Sequence, residues 1–305
     1  MNEPRFALPL SWSWGAHEKR EAIPLASGPE FVHSAVVADA ENERALMDRL
    51  RSEYPKGFVF KACALDFLER AGVPASSRML LAFSARISLT GFRVPKKVRQ
   101  LAAKAEGVTI TEVPREIALA ELAALANVLF PGGEPVRYFY RFLPEAEDRC
   151  FLARTDSATA GIVTLSRYAP DAWHTELLLR HPTAPPGTME QLILRVIATL
   201  SAEGIASLNL GEVPLVVPPD ATLTVAPSRR EMRASQWGAQ IAAIVAPFYN
   251  IAGLHQFKNK FEPVWEPRYY VGIPRLRLRD LKAFGVASGA LAILQQALSP
   301  SPSVV

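Results

Sequence analysis

Tyr249-Asn250-Ile251-Ala252-Gly253-Leu254-His255-Gln256-Phe257-Lys258-Asn259-Lys260-Phe261-Glu262-Pro263-Val264-Trp265-Glu266-Pro267-Arg268-Tyr269-Tyr270 is the stretch on which the reading of this chain turns. Phe257 and Phe261 are four residues apart, so on a helix they share one face and anchor it. Lys258 lies beside that face and Lys260 on another side of the turn. Pro263 and Pro267 stop the helix and stiffen the approach to an apolar strand over Tyr269–Ile273. A cationic turn held by aromatic side chains suits an anionic head group or a phosphate. The same residues also fit a packed C-terminal helix with solvated lysines.

Working back from that stretch, strand and helix periods alternate. Arg149–Arg154 and Ala160–Tyr168 read as strands parted by the polar turn Thr155–Thr159, and Trp173–Arg180 as another. Thr188 is expected to cap a helix, with Gln191 completing a capping box, and Met189, Leu192, Ile193, Val196, Ile197 and Leu200 make its buried stripe. Gly204 ends it, and Ile205–Gly211 returns as a strand. Ser228 and Glu231 suggest a second capping box, opening a helix with Trp237, Ile241, Ile244 and Val245 inward and a break at Pro247. In the first half, Ala40–Leu50 is amphipathic, with Asp39 expected as its cap and Ala45, Leu46, Arg49 and Leu50 on one face. Pro95–Glu106 turns Val98, Leu101, Ala102 and Ala105 inward and Lys96, Lys97, Arg99 and Lys104 outward, ending at Gly107. Its basic side suits either solvent or the phosphates of a nucleic acid. Ile117–Leu129 forms a further helix. This order is α/β.

The chain has 305 residues, 49% hydrophobic and 21% charged, with a net charge of +4. That length accommodates two domains, and the charge is a mild bias towards anionic partners. Cys63 and Cys150 lack a paired spacing, which implies free thiols in a reducing compartment. Met1–Gly15 has no signal-peptide apolar core, and no window reaches the roughly 18 apolar residues of a spanning helix. The expectation is a cytoplasmic protein. His17, His33, His174, His181 and His255 are scattered, so no metal site is expected. Neither a nucleophile elbow nor a phosphate-binding glycine loop is present.

Four segments carry a family resemblance. The opening stretch is similar to Y-N-F-x-G-L-x-x-F-K-x-K-F-x-P-x-W-E-P-R-Y-L, a pattern of the lysylphosphatidylglycerol and alanylphosphatidylglycerol synthases, with Ile251 and Tyr270 as departures. Gly187-Thr188-Met189-Glu190 resembles that family's G-T-M-D. Leu208-Asn209-Leu210-Gly211-Glu212-Val213-Pro214-Leu215 is similar to F-N-L-G-M-A-P-L, with Glu212 at the place of the methionine. Ser88-Leu89-Thr90-Gly91, with Arg99 downstream, resembles S-L-x-G-K and its arginine. These matches keep the family's order over residues 85 to 273.

The resemblance implies two tandem acetyltransferase-like (GNAT) folds, 1–145 and 146–305, the second catalytic. It implies transfer of an aminoacyl group from an aminoacyl-tRNA donor to an anionic phospholipid such as phosphatidylglycerol, with no cofactor. Glu190 and Arg180 are the expected catalytic residues. Arg180 matches the arginine of the family's D-L-M-R, whose aspartate falls on Leu177. Lys258, Lys260, Arg268, His255, Asn250, Tyr249, Glu212 and Trp265 are the expected substrate-binding residues. Acetyltransferases hold a pyrophosphate at a helix start, but His181-Pro182-Thr183-Ala184-Pro185-Pro186-Gly187 loses three donors to proline, and Glu190 would repel a phosphate there. That points away from acetyl-CoA and towards a donor with an α-ammonium. Family members carry a membrane portion before the catalytic part; this sequence shows no counterpart, so lipid flipping is not expected of it. Two other readings stay open, an N-acyltransferase acting on a small amine and a non-catalytic binder of anionic lipid or tRNA. Arg275-Leu276-Arg277-Leu278-Arg279 and the apolar positions after it add an expected peripheral contact with the inner membrane face.

Overall fold

Alternating apolar runs bounded by turn residues give the strands of the second half almost where the sequence places them. The computed structural model describes residues 7–38, 42–131, 136–156, 158–214, 217–218, 221, 240–241, 243–244 and 250–298. There, β7 spans Arg149–Arg154, β8 Thr159–Ala169 and β9 Ala172–Arg180, followed by α5 (Thr188–Ala202) and β10 (Ser207–Pro214). Before them come β1 (Trp12–Trp14), β2 (Lys19–Pro24), β3 (Glu30–Val37), α1 (Glu43–Glu53), β4 (Phe58–Cys63), α2 (Leu65–Arg70), β5 (Arg78–Ser88), α3 (Lys96–Ala102), β6 (Thr109–Val113) and α4 (Arg115–Leu129). After β10 come α6 (Ile251–Asn259), β11 (Val264–Ile273), α7 (Leu278–Ala287) and α8 (Ala290–Leu298).

The strands form one 11-stranded sheet in the order β1-β3-β4-β11-β5-β10-β9-β8-β7-β6, with β2 on β3. β11, near the C-terminus, lies between β4 and β5 of the first half and is antiparallel to both. β6, from before residue 145, pairs with β7 from after it. The stretch around residue 145 joins α4 to β7, and four strand pairs, β4–β11, β5–β11, β5–β10 and β6–β7, link the chain before it to the chain after it. Pro267 sits within β11 without breaking it. Its backbone faces Phe83 of β5, whereas pairing with β4 begins only at Tyr269, so the missing N–H falls where the second edge is unpaired.

The core packs on both faces of this sheet. Trp12, Phe58, Phe60 and Phe67 are fully buried in the cluster under α1 and α2. Leu192, Ile193, Val196 and Leu200 of α5 are fully buried, and that helix packs against β7, β8 and β9. Each such side chain contributes about 1.5–3 kcal/mol of transfer free energy. α1 begins at Asn42, whose side chain accepts from Ala45 N at 2.9 Å. Asp39 lies outside the described residues. Leu46, Met47 and Leu50 form its buried face, so Met47 stands where Ala45 and Arg49 were expected.

The start of α5 differs from the expected capping box. Gly187 is the N-cap, at φ +85°, and makes no side-chain cap bond. Thr188 Oγ1 donates instead to the Pro185 carbonyl at 2.7 Å, and Gln191 Oε1 has no hydrogen-bond partner among the described residues. The cause is steric: a Cβ on Gly187 would stand 1.9 Å from the Leu101 carbonyl oxygen of α3. The Ser228–Glu231 capping box, Trp237, Val245 and Pro247 lie outside the described residues. Among the described residues no single helix is long and apolar enough to cross a membrane, although α7 and α8, bent by 84° at their junction, pass that test together. Both dock on the body: Phe284 packs against Phe31, Phe139 and Tyr270, and Ile293 is buried. Leu278 and Val286 remain exposed.

Candidate active site

β9 and β10 run parallel, yet they pair only over Ala172–His174 and Ser207–Asn209. Beyond those residues β10 shifts register between Asn209 and Glu212 and stays on β5, while β9 continues on β8 to Arg180. The two strands part like a wedge. Gly211 stands at the parting with φ +87°. A Cβ there would lie 3.3 Å from Lys258 Nζ, 3.4 Å from His174 Cε1 and 3.4 Å from the Thr175 carbonyl oxygen, so strand, imidazole and amine converge on one point.

A cavity of about 600 Å³ opens into this wedge. His174, Thr175 and Glu176 of β9 form one wall and Gly211, Glu212 and Pro214 of β10 another. Asn250, Gly253, Leu254 and Lys258 of α6 close a third side. Phe139 and Tyr140, before β7, and Tyr270 of β11 also line it.

Lys258 is 3% exposed and its Nζ donates to the Glu212 carbonyl oxygen at 2.8 Å. Burial pushes its pKa down to about 7; the Glu212 carboxylate opposes that shift and Lys61 adds to it. Glu212 Oε2 accepts from Lys61 Nζ of β4, which joins the two halves across the sheet. Glu176 is fully held. It accepts from Ser11 Oγ at 2.9 Å, Ser166 Oγ at 2.7 Å and Arg141 N at 3.0 Å. Burial alone would raise its pKa, but His174, the Arg141 guanidinium and these hydrogen bonds bring it below the usual range. Arg141 in turn is paired with Asp148 at 2.6 and 2.8 Å. Burial drives His174 down to about 4, with Glu176 opposing, so its imidazole is neutral at ordinary pH.

Of the residues singled out in the sequence, Lys258, Glu212 and Asn250 line this cavity. Asn250 also caps α6, its Oδ1 accepting from Gly253 N at 2.7 Å. Lys260 points elsewhere and donates to Glu190 Oε1 at 2.7 Å, tying the end of α6 to the first turn of α5. Arg180 donates to the Ala184 carbonyl and so holds the loop before α5. Arg268 is buried, with Nε on Ser84 Oγ and Nη2 on Glu266 Oε2, each at 2.7 Å. His255 stacks on Trp265 at 4.9 Å between centroids, and Trp265 Nε1 donates to Asn259 Oδ1 at 3.1 Å. Tyr249 lies outside the described residues.

Sequence reasoning did not pick out His174, Thr175 and Glu176 as a group. A signal for them exists: three consecutive polar residues interrupt a strand that is otherwise Trp173 and Leu177-Leu178-Leu179. In a strand buried on both faces, such an interruption needs partners or a use.

Comparison with known proteins identifies the family and the fold. A family model described as phosphatidylglycerol lysyltransferase, C-terminal, matches residues 37–272. A phosphatidylglycerol lysyltransferase of Bacillus subtilis is 27% identical over 132 residues, covering 42% of this chain and 15% of that protein. The lysylphosphatidylglycerol biosynthesis bifunctional protein of Rhodococcus jostii is 26% identical over 190 residues, covering 57% of this chain and 16% of that protein. The chain therefore spans about a sixth of the length of these curated relatives. Among solved structures, the L-PGS of Bacillus licheniformis superposes with a TM-score of 0.62 at 16% identity, covering 91% of this chain and 90% of that one. The C-terminal domain of a putative lysylphosphatidylglycerol synthetase from Agrobacterium fabrum gives 0.60 at 19% identity, covering 89% and 88%. The fold is thus the mixed α/β fold of those synthetase domains, with its large sheet. With more than half its length matched, this chain belongs to the phosphatidylglycerol lysyltransferase C-terminal family.

Proposed function

We propose that this chain is an aminoacyltransferase that moves an aminoacyl group from the ester of an aminoacyl-tRNA to a head-group hydroxyl of an anionic phospholipid such as phosphatidylglycerol. The observation that carries this reading is the buried Lys258 amine at the parting of β9 and β10, inside a cavity walled by His174, Thr175 and Glu212. An amine with a pKa near 7 exists partly in its neutral form at neutral pH and can accept a proton.

In this scheme the acceptor hydroxyl gives its proton to Lys258 Nζ as its oxygen bonds to the ester carbonyl carbon. The tetrahedral adduct then expels the ribose oxygen of the tRNA, which takes that proton from Lys258. One ester bond forms and one breaks, with no net oxidation and no covalent enzyme intermediate, so positioning supplies much of the rate. Glu190 and Lys260, paired with each other, position α6 and with it Lys258; Arg180 fixes the loop that precedes α5. The basic side of α3 and the Arg275–Arg279 run are the surfaces we assign to tRNA and to the membrane face. The test is purified protein with a mixed pool of charged tRNAs and a total lipid extract, read by mass spectrometry. New aminoacylated phosphatidylglycerol is the expected product. An acylated small amine with no aminoacyl lipid would overturn the proposal.

A further inference from the structure

Lys61 of β4 meets Glu212 of β10 across two intervening strands, β11 and β5. Each sits beside a backbone irregularity. Ala62, next to Lys61, has φ +65°, and the pairing of β11 with β4 shifts register between Tyr269 and Val271. Gly211, next to Glu212, has φ +87°, and the pairing of β10 with β5 shifts register between Asn209 and Glu212. Irregularities of this kind re-aim side chains, and left-handed backbone at a residue other than glycine persists only where its surroundings hold it. The two side chains they aim at each other are 3% and 12% exposed.

Glu212 serves two lysines with two different groups. Its Oε2 accepts from Lys61 Nζ, and its backbone carbonyl oxygen accepts from Lys258 Nζ at 2.8 Å. Its Oε1 has no partner among the described residues, so the carboxylate has an oxygen to spare. Two lysines thus stand around one carboxylate, and Lys61 holds the ion pair. A buried ion pair adds little net stability over apolar residues of the same shape, so stability alone does not account for it. A carboxylate brought into contact with Lys258 would favour its charged form far more than a carbonyl does. The other titratable groups nearby are neutral or engaged. From β9 comes His174, which burial keeps neutral and which borders Gly211 as Lys258 does. Glu176, 3.9 Å from His174 Nε2, accepts from Ser11, Ser166 and Arg141 N. On α6 itself, Lys260 is paired with Glu190 and His255 stacks on Trp265.

We infer that Lys61 is a positioning residue for Lys258: by holding the Glu212 carboxylate it keeps that carboxylate off the Lys258 amine, which stays free to accept a proton. Lys61 itself touches no reacting atom and acts through Glu212. The inference rests on the reading above in which Lys258 is the proton acceptor, and it gives a strand of the first half of the chain a part in that chemistry.

The experiment follows Lys258 directly, by NMR of protein carrying carbon-13 at lysine Cε, with its signal assigned by its loss in Lys258→Met. The wild-type signal should titrate with a midpoint near pH 7. Lys61→Met should raise that midpoint by about one unit or more, because the released carboxylate turns to Lys258. A crystal structure of that variant should show the Glu212 carboxylate at hydrogen-bond distance from Lys258 Nζ. Adding Glu212→Gln to Lys61→Met should bring the midpoint back to the wild-type value or below it. Lys61→Arg, which keeps the ion pair, should leave it in place. Should Lys61→Met not fold, Lys61→Gln takes its place, with a smaller rise in the same direction. An unmoved midpoint, a rise that Glu212→Gln does not reverse, or a Glu212 carboxylate that stays off Lys258 in the variant would each overturn the inference. The transfer assay separates this from the reading it rests on. If the wild type makes no aminoacyl lipid yet the midpoint moves as expected, the transfer reading falls and the control of Lys258 by Lys61 stands. Product formation with an unmoved midpoint has the opposite meaning.

Discussion

Lys258 and Lys260 are two residues apart and have opposite fates. Lys260, about a quarter exposed, reaches the Glu190 carboxylate at 2.7 Å and neutralises it. Lys258 is buried, meets a backbone carbonyl instead of a carboxylate at hydrogen-bond distance, and has its pKa pushed down to about 7. The same contrast separates the two regions they serve. At the start of α5 every charge has a partner and the Leu101 carbonyl covers Gly187. In the wedge between β9 and β10, polar atoms of His174, Thr175 and Glu212 have no partner among the described residues, and the cavity they line also holds an amine that can lose its proton. A cluster whose charges are paired stabilises; one left incompletely satisfied beside a cavity is where a ligand fits.

The largest expected effect tests that contrast at Lys258. Lys258→Met should lower kcat/KM by about 10²–10⁴-fold, the usual contribution of a positioned proton acceptor. Its thermal stability should not fall, since a buried amine is replaced by an apolar chain of similar length. The wild-type rate should rise with pH and level off above about 7, as Lys258 becomes neutral. Stability carries a linked signature. The folded pKa is lowered from 10.5 to about 7, so between those values the unfolded chain holds the extra proton and stability rises with pH. Lys258→Met should flatten that rise. A variant with wild-type rate would remove Lys258 from the chemistry.

Two glycines sharpen the comparison next. Gly187→Ala places a Cβ 1.9 Å from a backbone oxygen at φ +85°, and should cost about 3 kcal/mol in urea unfolding, combining overpacking with left-handed strain. Gly211→Ala has a similar φ, but its new Cβ meets the end of a flexible lysine at 3.3 Å. It should cost only about 1 kcal/mol of stability while lowering activity roughly tenfold by displacing Lys258. Equal stability losses would mean that the two regions do not differ in rigidity.

How much of this was legible in the sequence depends on range. β7, β8, β9 and α5 follow from local period and turn residues, and the chain supplies both within ten or so positions. The insertion of β11 between β4 and β5 does not, because it pairs residue 269 with residues 63 and 80. No local signal encodes such a pairing. For the same reason the sequence could bring forward Lys258 and Glu212 but not their meeting with Lys61 or with His174 and Thr175. The expected Thr188 cap failed on sterics from α3, distant in sequence. Arg268 is expected from the sequence to bind substrate, yet its strand lies inside the sheet, where its guanidinium donates to Ser84 and Glu266.

A smaller effect is expected at the Glu190–Lys260 pair. Glu190→Gln and Lys260→Met should each cost about 1–3 kcal/mol of stability, and the double variant less than their sum. The measurement is a double-mutant cycle in urea, read alongside KM for the aminoacyl donor. A stability loss with a modest fall in kcat identifies a pair that positions α6. Unchanged stability with a large rise in donor KM would instead place Glu190 against the donor, as its match to the family's G-T-M-D suggests.

The smallest expected effect is a null one, and it bears on the α5 start directly. Bound acetyl-CoA would need backbone N–H groups there for its pyrophosphate. Pro182, Pro185 and Pro186 offer none, Glu190 adds negative charge in the first turn, and the end of α3 packs against Gly187. A ligand present at a hundred times its Kd stabilises the protein it binds by about 2.7 kcal/mol, a shift of several degrees that any melting curve resolves. Acetyl-CoA at millimolar concentration should leave the melting temperature where it was. A clear rise with acetyl-CoA would mean that the closed region can open, and it would favour the N-acyltransferase reading over transfer from tRNA.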